Sequence, residues 1–198
     1  MEHYYSEKPS AEHHIRQIKY SIKDLDLSFI TDTGVFSKTK VDYGTNVLLH
    51  SLPPLQGKIL DLGCGYGPIG ISLAKLNPHS EVIMIDINQR AVDLSNRNIQ
   101  GNNVNNATAF QSQGFDRVEG CFNAIVSNPP IRAGKKVIYP LFERSIDFLE
   151  KDGSIYLVIQ KKQGASSAKD KLIEVYGNCQ VINKKGGYWI LHSIKNKI

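Results

Sequence analysis

The chain reads as a doubly wound α/β fold: a seven-stranded mixed sheet covered by helices on both faces, with a small N-terminal β appendage. Three observations predict it. After residue 57, short β-branched apolar runs alternate with longer amphipathic stretches; a glycine-rich loop joins the first of these runs to a helical stretch; and only two residues separate the last two runs. At 198 residues there is room for one well-filled core and too little for two domains of ordinary size. Residues 1–198 therefore read as a single domain, with 1–56 supplying a hairpin and a flanking helix and 57–198 the core.

Taken in order, IRQIKYSIK (15–23) and DLSFIT (26–31) alternate as the arms of a small hairpin, followed by TDTGVFSK and a helix beginning near Asp42. The core strands are KILDLG (58–63), EVIMID (81–86), ATAFQS (107–112), FNAIVS (122–127), GSIYLVIQ (153–160), CQVINK (179–184) and GYWILHSI (187–194). Helical periodicity fits 69–76, 88–101, about 136–149 and about 165–176, so right-handed crossovers would cover both faces of a largely parallel sheet. Lys185-Gly186 is too short for a crossover, and the last two strands must pair as an antiparallel hairpin.

Composition excludes several classes. No apolar run approaches the roughly 20 residues that span a bilayer, and the polar start MEHYYSEKPSAEHH lacks the apolar middle of a secretory leader, so a cytoplasmic location is expected. Cys64, Cys121 and Cys179 are far apart and odd in number, which argues for small core residues rather than disulfides or zinc ligands. The six histidines show no metal-ligand spacing and no GxSxG occurs, so a metal is not expected and a serine hydrolase has no support. Charge is uneven: residues 1–131 carry 11 Lys/Arg against 13 Asp/Glu, whereas 132–198 carry 13 against 6. A positive C-terminal third suits a polyanionic partner beside the sheet edge, solvated helix faces being the plainer explanation.

The strongest local signal is DLGCGYGPIG (61–70), at a strand end where a helix opens. Gly63, Gly65 and Gly67 form GxGxG, while Gly65, Gly67 and Gly70 satisfy GxGxxG; both imply a ligand lying close to bare backbone. Asp86 ends the next strand, where a carboxylate can accept both hydroxyls of an adenosine ribose. Neither feature separates NAD from S-adenosylmethionine. Asp61 favours the latter, because an acid beside the loop repels a pyrophosphate and suits a cationic amino-acid moiety. A structural capping role for Asp61 is the alternative.

Asn128-Pro129-Pro130 follows the strand FNAIVS at the edge where open α/β sheets bind ligands. An exocyclic amine on a base or amide is a poor nucleophile because its lone pair is delocalised. The Asn128 side-chain oxygen and the Pro129 carbonyl can accept its two N–H bonds and turn that lone pair toward a sulfonium methyl, with proline stiffening the arrangement.

On GVFSKTKVDYGT (34–45), DLGCGYG (61–67), Asp86 with Asn88, and NPPIRAGK (128–135), the chain resembles the class I S-adenosylmethionine-dependent methyltransferases. Within them it is similar to the small-domain group that includes the RsmC-type guanine-N2 methyltransferases of 16S ribosomal RNA. The resemblance spans about residues 25–198. It implies a Rossmann-like sheet with a reversed final strand and S-adenosylmethionine as cofactor. Phe36, Asp42, Gly44 and Thr45 would frame the methionine end, Gly63 and Gly65 would form the loop, Asp86 would hold the ribose and Asn128 the target amine. Gln113 stands where relatives often carry an acid for the adenine, and the companion domain of longer relatives is absent.

The resemblance also bears on the partner. Adenine-N6 and glutamine-N5 methyltransferases place Tyr or Phe after Asn-Pro-Pro; here Ile131 follows, which favours a guanine amine and 16S ribosomal RNA or a small-subunit particle as substrate. Pro130, Ile131, Arg132, Lys135 and Lys136 would then meet the substrate, with Lys161 and Lys162 on the same edge clamping phosphates around a splayed base, or simply facing solvent. Trp189 is expected to pack on a sheet face. Glutamine-N5 and adenine-N6 methylation, an NAD-dependent oxidoreductase and a non-catalytic RNA-binding module remain the alternatives at this point.

Overall fold

The protein is described here by a computed structural model covering residues 14–35, 37 and 39–196. Nine strands and five α-helices alternate in the expected order. A hairpin of β1 (Arg16–Ile22) and β2 (Leu25–Thr31) precedes α1 (Tyr43–Ser51). The core follows as β3 (Lys58–Leu62), α2 (Pro68–Leu76), β4 (Glu81–Asp86), α3 (Gln89–Gly101), β5 (Ala107–Gln111), β6 (Phe122–Ser127), α4 (Lys135–Ser145), β7 (Leu149–Gln160), α5 (Ala165–Tyr176), β8 (Gln180–Lys185) and β9 (Tyr188–Ile194).

The large sheet has the order β5-β4-β3-β6-β7-β9-β8, parallel from β5 to β7, with β9 antiparallel to both β7 and β8. From β3 the chain winds outward through β4 and β5, then returns to lay β6 against the other side of β3. Above the carboxyl ends of β3 and β6 the two crossovers diverge, and a crevice opens there.

Alternation along the strands builds two cores. Ile59, Val82, Met84, Val126 and Val158 face α1, α2, α3 and the hairpin, whereas Leu60, Ile85, Ile125, Leu157 and Leu191 face α4 and α5. Being apolar on both faces is what a central parallel strand requires. Trp189 packs against the second core and carries Lys184 Nζ 4.4 Å over its ring, as sheet-face packing anticipates.

Asn98 of α3 and Asn102, which caps its C-terminal end, fix the hairpin. Asn98 Oδ1 accepts from Ile30 N at 2.7 Å while its Nδ2 donates to Ile30 O at 2.9 Å, and Asn102 repeats the pair with Ser28 at 3.0 and 2.8 Å. Four residues apart on a helix, they lie on one face and meet strand residues two apart, so carboxamides complete the backbone pairing of a sheet edge.

Several boundaries differ from the sequence reading. Helix α4 stops at Ser145, followed by a short 3-10 turn at Ile146–Phe148, and β7 begins at Leu149 instead of 153. Leu149 pairs with Phe122 and is buried, so sheet and core claim a residue whose local periodicity is helical. The terminal hairpin turns on Gly186-Gly187, one residue later than expected, because Lys185 pairs with Tyr188. Only Cys64 is a core residue; Cys121 and Cys179 are half-buried. Among the described residues no helix is long and apolar enough to cross a membrane, and no cluster of three or more His, Cys, Asp or Glu could hold a metal ion.

Candidate active site

The crevice holds a cavity of about 470 Å³, within the size range of small-molecule sites. Its floor is the loop after β3. Gly63 and Gly65 have φ of +77° and +59°, and a Cβ on either would meet nothing within 4 Å, so their bare backbone leaves open space beside the loop. Gly70 serves a different purpose: a Cβ there would lie 2.5 Å from Met84 Cγ and 3.0 Å from Asp61 Oδ2. Its absence lets α2 seat closely on β4.

Asp86 closes one side at the end of β4. Its Oδ2 accepts from Gly65 N at 2.9 Å and its Oδ1 from Asn88 N at 2.9 Å, which anchors the carboxylate and leaves lone pairs for a ligand. Burial raises its pKa against these hydrogen bonds. Asn88 Oδ1 caps α3 by accepting from Arg90 N and Ala91 N, and its Nδ2 donates to Gly34 O at 3.0 Å, tying the segment after β2 over the cavity. Ser112, Gln113 and Gly114, after β5, form the far end, with Val35, Ile87 and Leu141 as apolar walls.

At the opposite end stands Asn128. Its Nδ2 donates to Asp42 Oδ2 at 3.1 Å and to Thr45 Oγ1 at 3.0 Å. A carboxylate can only accept, so the nitrogen of the amide must face Asp42 and the oxygen must face away. Asp42 is itself fixed as the N-cap of α1, accepting from Thr45 N at 3.2 Å. The Asn128 side chain is thus set by a residue 86 positions earlier, and Pro129 and Pro130 continue the wall beside it.

Asp42, Thr45, Gly63, Gly65, Asp86, Gln113, Asn128, Pro129, Pro130 and Lys136 all line the cavity. Others do not. Asp61 is fully buried beneath the loop, where its Oδ2 accepts from Gly70 N at 2.8 Å; the structural alternative describes its position better than a direct ligand contact. Burial, reinforced by the charge of Asp86 and opposed by the Gly70 hydrogen bond, pushes its carboxyl up to about 7. Gly44 sits behind Asp42 against the Tyr188 ring and does not reach the cavity. Ile131, Arg132 and Lys135 lie past its rim, because the chain enters a 3-10 turn at Ile131–Ala133: Ile131 packs on the second core and Lys135 Nζ lies 5.7 Å from the centre of the Tyr139 ring. Phe36 falls outside the described residues.

Sequence reasoning missed Tyr66, Asp116 and Arg144 in the cavity lining. Arg144 Nη1 donates to Asp116 Oδ1 at 2.6 Å, a pair 28 residues apart that no local pattern reveals. Tyr66, buried within the glycine loop, was readable from DLGCGYG as a large side chain among glycines. Cys64 also borders the cavity, but burial and the charges of Asp86 and Asp61 raise its thiol pKa well above the ordinary range, which makes it inert.

Residues 26–192 match the family described as methyltransferase small domain. The chain is 46% identical over 198 residues to the uncharacterized protein YbxB of Bacillus subtilis strain 168, with 98% of each covered. It is 40% identical over 139 residues to ribosomal RNA small subunit methyltransferase C of Aeromonas hydrophila, covering 68% of this chain and 40% of that protein. Among solved structures, the T. thermophilus 16S rRNA N2 G1207 methyltransferase in complex with AdoMet and guanosine superposes with a TM-score of 0.83 at 26% identity, over 95% of this chain and 52% of that one. The chain spans about half, or less, of the ribosomal RNA methyltransferases it matches. Because this family match runs over most of its length, the chain belongs to the methyltransferase small-domain family.

Proposed function

We propose that the chain transfers a methyl group from S-adenosylmethionine to the exocyclic N2 amine of a guanine in 16S ribosomal RNA. The observation that carries this reading is the clamp on Asn128: Asp42 and Thr45 hold its NH2 and leave Oδ1 as an acceptor at the cavity wall, which Pro129 continues, its carbonyl accepting from Ile131 N at 2.8 Å and keeping a second lone pair.

The cavity residues fit the cofactor. Open space at Gly63 and Gly65 admits a ligand against the backbone, Asp86 has lone pairs for a ribose diol, and Ser112 and Gln113 offer polar atoms to an adenine. Asp86, held beside the loop by two backbone N–H groups, suits a cationic ligand better than a pyrophosphate. That charge favours S-adenosylmethionine over a nicotinamide dinucleotide. When bound, S-adenosylmethionine supplies a methyl group on a cationic sulfur that departs as a neutral thioether.

The protein's own contribution is placement. Asn128 Oδ1 and the Pro129 carbonyl accept the two N–H bonds of the guanine amine, which draws its lone pair out of conjugation with the ring. Holding nucleophile and electrophile in line can remove up to roughly 7–11 kcal/mol of the barrier. As nitrogen bonds to carbon, its surplus proton passes to water. Ile131, partly buried against the second core, presents no aromatic face for stacking at the position after Asn-Pro-Pro, in keeping with guanine rather than adenine.

The test is transfer of tritiated methyl from S-adenosylmethionine into separated RNA, DNA and protein fractions, followed by nucleoside analysis of the labelled RNA. N2-methylguanosine in small-subunit RNA is expected. Label confined to protein, or to N6-methyladenosine, would overturn the substrate assignment and leave the family intact.

A further inference from the structure

Beside the cavity mouth lies an aromatic and cationic surface that the reaction itself does not use. Tyr43 follows the Asp42 clamp directly, opens α1 and is 44% exposed, although it is one of the larger apolar side chains. Its ring is held in place. The Tyr188 ring packs against it at a centroid distance of 5.9 Å and an angle of 59°, and the Gly186 turn approaches so closely that a Cβ there would fall within 3 Å of three Tyr43 ring and hydroxyl atoms. The adjoining residues are basic. Lys185 pairs with Tyr188 across β8 and β9 and therefore shares its face of the sheet; Lys161 N donates to Gly187 O at 2.7 Å, which brings the exposed Lys161-Lys162 turn alongside. From residue 153 to 169 and from 175 to 198 the sequence contains no Asp or Glu. An exposed ring, fixed in place and bordered by lysines, with the neighbouring acid Asp42 already engaged by Thr45 N and Asn128 Nδ2, combines a stacking face with phosphate-binding charge.

The geometry points to Tyr43, backed by Tyr188 and bordered by Lys161, Lys162 and Lys185, as a docking platform for single-stranded RNA: a base next to the target nucleotide stacks on the Tyr43 ring while the lysines hold the adjoining phosphates. This inference rests on the RNA substrate proposed above and extends it from the amine pocket to the neighbouring chain. The platform lies on α1 and β9, next to the Asp42 that holds Asn128.

Binding of a short fluorescein-labelled single-stranded oligoribonucleotide is measured by anisotropy over a range of salt for wild type, Tyr43→Ala, Tyr43→Phe and the Lys161→Glu/Lys162→Glu double variant. Affinity for S-adenosylmethionine and thermal melting are measured in parallel. Tyr43→Ala should weaken RNA binding by about tenfold, the loss expected for one stacked base. Tyr43→Phe should stay within about twofold of wild type, because the ring and not the hydroxyl stacks. The lysine variant should weaken binding at low salt and flatten its salt dependence. Cofactor affinity should be unchanged in all three. Equal RNA affinity of Tyr43→Ala and wild type, loss in Tyr43→Phe matching that in Tyr43→Ala, or a parallel loss of cofactor affinity would overturn the platform. So would a polyglutamate peptide that competes as well as RNA, which would mark a protein-docking surface. If wild type methylates RNA and Tyr43→Ala does so with the same KM, only the platform fails; if wild type neither binds nor methylates RNA, the substrate assignment fails with it.

Discussion

Asn128 is positioned by what its neighbours can and cannot do. Asp42 has no proton to give when ionised, and Thr45 Oγ1 accepts from the same amide, so rotating the carboxamide by half a turn would set oxygen against oxygen. On the function proposed above, removing the side chain deletes a contact to the reacting amine, while the Asp86 side of the cavity is untouched. Asn128→Ala should therefore lower kcat by on the order of a hundredfold with cofactor affinity near wild type; single-turnover kinetics alongside calorimetry separates the two, and unchanged turnover would contradict the assignment. The sequence showed Asn128 through its Asn-Pro-Pro setting at a strand end. It could not show the partnership with Asp42, which exists only because α1 packs on β7 and β9 and so brings its N-terminus to the residue that follows β6. For Asp61 the sequence left a ligand role and a structural role open, because being next to the loop in sequence does not reveal that its side chain turns beneath it to meet Gly70.

Among the elements, α3 joins three parts of the molecule. Its N-cap Asn88 ties down the segment at Gly34, Asn98 and Asn102 pair with the β2 edge, and Asn98 Nδ2 also donates to Tyr66 O at 2.8 Å in the glycine loop. Asn98→Ala would leave Ile30 N, Ile30 O and Tyr66 O without this partner in a buried setting, at a cost of about 2–4 kcal/mol. Urea denaturation should show that loss, and hydrogen exchange should show the Ile30 amide opening faster; wild-type protection at Ile30 would mean the hairpin is held by apolar packing alone. The helix itself was legible from its periodicity. Its asparagines were not, because a buried amide that completes a sheet edge looks like a polar residue on a solvent face. The end of α4 was illegible for the opposite reason, since Leu149 fits a helical stripe as well as it fits the buried strand it joins.

At the scale of the whole molecule, two buried carboxyls make stability depend on pH. The Asp61 carboxyl, at about 7 in the folded protein against an unfolded value of about 3.9, stays protonated in the native state where the unfolded chain has already lost its proton. Native protein then binds more protons than unfolded chain, so stability falls as pH rises from about 4 to about 7 and levels off above. This one group contributes up to about 4 kcal/mol of that fall, and Asp86, also raised by burial, acts in the same direction. Relative to wild type, Asp61→Asn should gain about 2–4 kcal/mol between roughly pH 4.5 and pH 8 in denaturant titrations. A difference that does not vary with pH would show that the folded-state carboxyl titrates normally.

The reversal of strand order between β3 and β6 has a further consequence. Every group tied to chemistry stands at the carboxyl tips of the strands, while the connections entering the opposite tips, around His79, Asn103 and Glu119, run along the far rim and carry none of it. Those entry loops can accept a grafted tag wherever the hydrogen bonds of Asn77, Asn102 and Asn106 are kept, and the two rims can diverge in evolution at different rates: one bound by the demands of the site, the other by the need to hold each strand and the hairpin in place.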